Sequence, residues 1–233
     1  MNAHIRIIMP APVQKGIITD MRFTTIFFDL DDTLYPASTG LWEVLKARMG
    51  RYMAERLDIP ESEIARLREQ YFREYGTTLR GLQANYHVDP QDFLAYVHDV
   101  PLHDYLTPNP ALGALIASLP TRNLIFTNAD LPHARRVLAV LGLEGCFSDI
   151  VDINAIAPYC KPMPEAFHIA MKIAGEEDAH RCVIIDDQPR TTRTARSLGM
   201  LSILYGQNEP HPDADFTLTD WQILPALLNG RKP

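Results

Sequence analysis

Phe23-Thr24-Thr25-Ile26-Phe27-Phe28-Asp29-Leu30-Asp31-Asp32-Thr33 is a β-branched and aromatic run that ends abruptly in three carboxylates and a hydroxyl. A run that is apolar on nearly every residue, rather than on alternate ones, is the pattern of a parallel strand covered on both faces. Three shorter runs repeat it: NLIFT at 123–127, CVII at 182–185 and LSILY at 201–205. Helical periodicity lies between them. Asn109-Pro110 opens a helix carrying Leu112, Leu115, Ile116 and Leu119, and Asp130 opens another carrying Val137, Leu138 and Leu141, closed by Gly142. Strands alternating with helices predict an α/β fold, a Rossmann-like doubly wound parallel sheet.

Between Pro36 and Pro108 the rhythm changes. Leu41, Leu45, Met49, Met53 and Leu57 mark one helical face, and Ile64, Leu67, Tyr71 and Tyr75 a second, ended by Gly76. Leu79 and Leu82 suggest a short third helix, and Asp89-Pro90 starts a fourth carrying Phe93, Leu94 and Val97. The expected organisation is a core of residues 23–37 and 108–233 with an all-helical unit at 38–107 inserted after the first strand. Residues 1–22 read as a short extension whose apolar residues are interrupted by Arg6, Pro10, Pro12 and Lys15, with Met21 as a candidate natural start.

Composition narrows the function. The 233 residues carry 22 Lys and Arg against 29 Asp and Glu, a net charge of -7 that repels a nucleic acid polymer but leaves a small anion acceptable where cations gather locally. Apolar runs are far too short for a membrane helix. The three cysteines, Cys146, Cys160 and Cys182, form no C-x-x-C pair, which disfavours a disulfide framework or structural zinc and suits a reducing, cytoplasmic setting.

Ligands of doubly wound sheets bind beyond the carboxyl ends of the strands. There this chain places Asp29-Leu30-Asp31-Asp32-Thr33, then Thr127-Asn128, then Asp186-Asp187, with Lys161 in a CKPMP segment ahead of a helix opened by Pro164. Converging carboxylates repel unless a cation neutralises them, and a hard divalent ion with oxygen ligands, Mg2+ first, is the simplest remedy. Asp29 and Asp31 are two residues apart in extended chain and leave the backbone on one side. One can attack phosphorus while the other, kept protonated by crowding, gives its proton to the leaving oxygen and then activates water. Thr127 and Lys161 supply a hydroxyl and a charge for the phosphate oxygens.

The four motifs in this order, D-L-D-D-T, strand-T-N, K-P-x-P-x-x-F (161–167) and strand-D-D, resemble the haloacid dehalogenase superfamily over residues 23–205, and the helical insertion resembles the C1 cap of its subfamily I. YGTTLRGL at 75–82, HVDP at 87–90 and FTNA at 126–129 are similar to the pyrimidine 5'-nucleotidase branch. The resemblance implies a phosphomonoesterase forming an aspartyl-phosphate, acting on UMP- or CMP-like nucleoside monophosphates. It implies Asp29 as nucleophile, Asp31 as acid/base, and Thr127 and Lys161 as phosphate binders. Mg2+ would be held by Asp29, the backbone oxygen of Asp31 and Asp187, with Asp186 beside it. Two departures stand out: Thr191 replaces the polar residue usual four positions after the metal aspartate, and Met163 replaces a helix-capping residue.

Arg80 is the leading candidate for substrate specificity, since guanidinium pairs with phosphate or stacks on a base, with an ordinary exposed arginine as the alternative. Asn128 orients the leaving group or simply begins a helix, Tyr35 is a cleft wall or plain packing, and His133 is a candidate to face the cleft. The rival substrates are phosphoglycolate or a sugar phosphate. Among other reaction classes, a dehalogenase needs neither Asp31 nor the metal, a phosphomutase would not release phosphate as its main product, a phospho-receiver domain has another motif order, and a binding-only protein would lack turnover.

Overall fold

The computed structural model describes residues 22–229; of the extension expected at 1–22 all but Arg22 lies outside them, as does the candidate start at Met21. The strands are β1 (Thr25–Phe28), β2 (Arg122–Phe126), β3 (Asp149–Val151), β4 (Cys182–Asp186), β5 (Leu201–Tyr205) and β6 (Phe216–Leu218). They form a single parallel sheet in the order β3-β2-β1-β4-β5-β6. All four residues of β1 are buried because the sheet is covered on both faces. Ile26 and Phe28 pack with side chains of α5 (Pro110–Ser118), α6 (Leu131–Leu141) and α9 (Leu224–Leu228). Phe27 packs on the other face with Phe167 and Ala170 of α7 (Pro164–Ala174) and Ala195 of α8 (Pro189–Ser197). The doubly wound α/β expectation is therefore met. The sequence reading missed β3 and β6, which are three residues long and only partly buried, too short to show a period.

Four α-helices lie between β1 and α5, within the expected insertion at 38–107, as the periodicity predicts: α1 (Leu41–Leu57), α2 (Glu61–Tyr75), α3 (Thr78–Tyr86) and α4 (Pro90–His98). Thr77 and Asp89 cap α3 and α4 by accepting from Arg80 N and Gln91 N. Gly81 lets α3 close on α2, since a Cβ there would sit 2.2 Å from Tyr71 Cγ. The apolar stripes meet in one cluster, with the Tyr52 ring edge-on to Phe93 at 5.1 Å, and this cluster is continuous with one face of the sheet. No described helix is long and apolar enough to cross a membrane.

Candidate active site

β1 lies between β2 and β4, so the carboxyl ends of these three central strands open on one crevice. Asp29 follows β1 directly, Thr127 follows β2, and Asp186 is the last residue of β4. Lys161, in the loop before α7, joins them: its Nζ donates to Asp29 Oδ1 and to Asp186 Oδ2, each at 2.6 Å. Asp29, Asp186 and Asp187 each bring a carboxylate oxygen within 4.8 Å of the others. Burial would lower the lysine, but the carboxylates of Asp186 and Asp29 outweigh it and raise Lys161 above its usual value. Burial first, then Asp186, pushes Asp29 up to about 7 against the pull of Lys161. Burial and the charges of Asp186 and Asp29 push Asp187 to about 8. One lysine thus leaves three carboxylates under-neutralised, and an all-oxygen, hard donor set of this kind fits a hard divalent cation.

Asn128 grips the lysine loop rather than facing the crevice alone: its Nδ2 donates to Lys161 O at 3.0 Å and its Oδ1 accepts from Lys161 N at 2.9 Å. Thr127 is buried, and its Oγ1 accepts from Ala129 N. Gln188 supports the acids, with its backbone N donating to Asp186 Oδ1 and its Nε2 donating to Asp187 Oδ2 at 2.5 Å. The polar contact to Asp187 thus comes from the residue next to it, while Thr191 is buried at the cavity edge. Met163 provides no side-chain cap to α7.

Asp31 stands apart from the three-acid cluster, as expected if only its backbone oxygen serves an ion: its carboxylate accepts from Tyr35 Oη at 2.7 Å and lies 3.1 Å from His133 Nε2, both on Oδ1. The difference from the sequence expectation is in its protonation. Burial would raise its pKa, yet the His133 ring and the Tyr35 hydroxyl more than offset this and lower it, so crowding does not keep the resting Asp31 protonated. The neighbour that is pushed up is Asp32, to about 6, by burial and by Asp31.

A cavity of about 390 Å³ separates this floor from the helical insertion. Trp42, Met49, Phe72, Phe93, Leu94 and Val97 line the insertion side, with Lys46 and Arg68 as its cations. Arg80 is not part of the lining. Its guanidinium donates to Ile153 O, Tyr159 O and Gln83 Oε1 at 2.8–2.9 Å, which ties the insertion to the core. Arg190 works the seam from the other side, donating to Phe72 O at 2.5 Å and Gly76 O at 2.6 Å with its guanidinium 3.3 Å from the centroid of the Phe72 ring. Sequence reasoning gave no role to Gln188 or Arg190. Only the position of Gln188 beside the acidic pair was a usable signal, because Arg190 acts across contacts distant in the chain.

A family model described as haloacid dehalogenase-like hydrolase matches residues 23–199. Phosphate metabolism protein 8 of Saccharomyces cerevisiae is 32% identical over 195 residues, 77% of this chain; the match spans 60% of that relative's length. Glyceraldehyde 3-phosphate phosphatase of Methanopyrus kandleri is 28% identical over 223 residues, 85% of this chain and 91% of the relative. Among solved structures, a HAD phosphatase from Thermococcus onnurineus superposes with a TM-score of 0.61 at 16% identity, covering 91% of this chain and all of that one. That likeness speaks for the fold.

Proposed function

Because the chain belongs to the haloacid dehalogenase-like hydrolases, we propose that it is a Mg2+-dependent phosphomonoesterase that passes the phosphoryl group through Asp29. The observation that carries this reading is the Lys161 bridge between Asp29 and Asp186 beside the third carboxylate of Asp187, a buried site that combines a fixed cation with unspent negative charge. Asp29, Asp187 and the backbone oxygen of Asp31, with Asp186 beside them, would hold the ion. Bound Mg2+ supplies charge neutralisation and polarises a phosphate oxygen.

The residues divide the rest of the chemistry. A carboxylate oxygen of Asp29 attacks phosphorus, the bond to the ester oxygen breaks, and Asp31 gives that oxygen a proton. Lys161 and Thr127 take the non-bridging oxygens, and Asn128 fixes the lysine through both of its amide atoms. Asp31, whose pKa His133 and Tyr35 hold down against burial, takes that proton from the P–OH of the phosphate monoester docking as its monoanion, whose negative charge raises the proton affinity of the carboxylate. Once ionised again, it takes a proton from water, which hydrolyses the aspartyl-phosphate and frees inorganic phosphate. Helices α1–α4, within 38–107, act as a cap that keeps bulk water from this sequence.

The substrate is a small phosphorylated metabolite, and we favour pyrimidine nucleoside monophosphates such as UMP and CMP. Support comes from a cavity of about 390 Å³ with Trp42, Phe72 and Phe93 in its wall, room and faces for a flat ring. A sugar phosphate is the second reading, favoured by the match to a relative named for glyceraldehyde 3-phosphate. Cys146, Cys160 and Cys182 are unpaired, in keeping with a reducing cytoplasmic location.

Asp29→Asn should keep the fold and lower Mg2+-dependent phosphate release by about 10⁴-fold or more. Activity retained in that variant rejects the nucleophile. A panel of UMP, CMP, purine nucleotides, glyceraldehyde 3-phosphate and phosphoglycolate tests the substrate: kcat/KM should be highest for the pyrimidine nucleotides, and a flat profile defeats that choice.

A further inference from the structure

Asp31 is held by one oxygen. Tyr35 Oη and His133 Nε2 both bond Oδ1, while Oδ2 has no hydrogen-bond partner among the described residues and Asp31 lines the cavity. A carboxylate turns freely about its last torsion unless something stops it, and two donors on one oxygen do so. His133 is itself immobilised. Its ring is fully buried, its backbone N–H donates to Asp130 Oδ1 at 3.2 Å at the start of α6, and its Nδ1 meets no partner among the described residues. A proton on Nε2 is therefore the tautomer that leaves no N–H unsatisfied and makes the ring a donor to Asp31.

The second face of that ring belongs to the insertion. His98, the last residue of α4, stacks on His133 with centroids 4.1 Å apart and planes 20° from parallel. His98 Nδ1 also lies 2.8 Å from Asp130 Oδ1, the atom that caps α6 beneath His133. The helix that carries His98 contributes Phe93, Leu94 and Val97 to the cavity wall, so the wall and the acid/base are joined through one pair of rings.

We propose that Tyr35 and His133 are positioning residues that pin one oxygen of Asp31 and turn the other toward the ester, and that His98 carries the seating of the insertion to this clamp. The inference rests on the reading of Asp31 as proton donor and acceptor. A misaimed donor costs most where the leaving group must be protonated and least where it departs as a stable anion.

The test compares kcat/KM for β-glycerol phosphate, an alkyl ester, with p-nitrophenyl phosphate, whose leaving group needs no proton. His133→Leu should lower the first by about tenfold to a hundredfold and the second by no more than about threefold. His133→Gln, which restores a donor near the position of Nε2, should recover most of the loss. His98→Ala should show the same leaving-group dependence, and adding it to His133→Leu should cost nothing more. Equal losses on both esters, or no recovery with Gln, overturn the clamp; losses that multiply in the double variant overturn the role of His98. Should His133→Leu fail to fold, Tyr35→Phe, which deletes one hydroxyl, must show the same dependence or the clamp is rejected. A wild-type protein that releases phosphate from neither ester instead defeats the phosphatase reading, and this inference with it.

Discussion

Beneath the cavity, four charged side chains, Asp29, Lys161, Asp186 and Asp187, meet at strand ends and their loops, three of them buried and the fourth half-buried. Above it, the insertion presents Trp42, Phe72, Phe93 and Val97, and its attachment to the core includes arginines that donate to backbone carbonyls. Parallel pairing of β1 with β2 and β4 fixes where Asp29 and Asp186 emerge. The wall depends on side chains that bond to carbonyls far away in the chain. On the proposed function, chemistry and selectivity would be carried by different physical devices, each open to disturbance without the other.

The largest effect should follow from breaking the floor. Lys161→Met leaves Asp29 and Asp186 without their shared cation, and removing one partner from a buried ionic group costs about 3–5 kcal/mol. Chemical denaturation of the metal-free variant should show that loss, and phosphate release should fall by about 10³-fold with the loss of a transition-state cation. A variant as stable as the parent would mean that the lysine is not what offsets the acids.

The same floor sets a pH dependence. Asp29 and Asp187 titrate as members of an interacting group, with values of about 7 and about 8 against an ordinary 3.8. Between roughly pH 4 and pH 8 the folded state therefore holds protons that the unfolded chain has released, and this contribution to stability is lost as the pH rises through the window. In EDTA, the thermal midpoint should decline across that range. With excess Mg2+ the acids are neutralised without protons, and the decline should flatten; a slope indifferent to Mg2+ breaks the link between crowding and ion binding.

How much of this was legible in the sequence divides along the same line. The floor was legible because it is local: an apolar strand announces its own end, and the residue just past that end faces the crevice, which singled out Asp29, Thr127 and Asp186 without coordinates. The helices of the insertion were legible through their 3.6-residue stripes. The lowered pKa of Asp31 was not, because the largest pull against its burial comes from His133, 102 positions away. Arg80 shows the same limit. Its place in the insertion, in a segment similar to a nucleotidase motif, suggested a ligand contact, but only the fold reveals the carbonyls of Ile153 and Tyr159 waiting for it.

The seam supplies the smaller effects. Arg190→Ala removes two charged donors from the carbonyls of Phe72 and Gly76, and about 2–3 kcal/mol of stability should go with them. Arg190→Lys should not restore it, since an ammonium lacks the planar fork that spans both oxygens. For Arg80→Ala the informative quantity is a ratio. If its guanidinium serves the seam, the variant should lower kcat/KM for UMP and for a purine nucleotide alike, so that their ratio moves by less than about twofold, because a residue that never touches the base cannot discriminate between bases. If instead the arginine swings into the cavity to bind the substrate, the ratio should collapse toward one while both rates change unequally. The ratio separates these cases even when stability falls in both, since a loss of folded protein scales the two rates by the same factor.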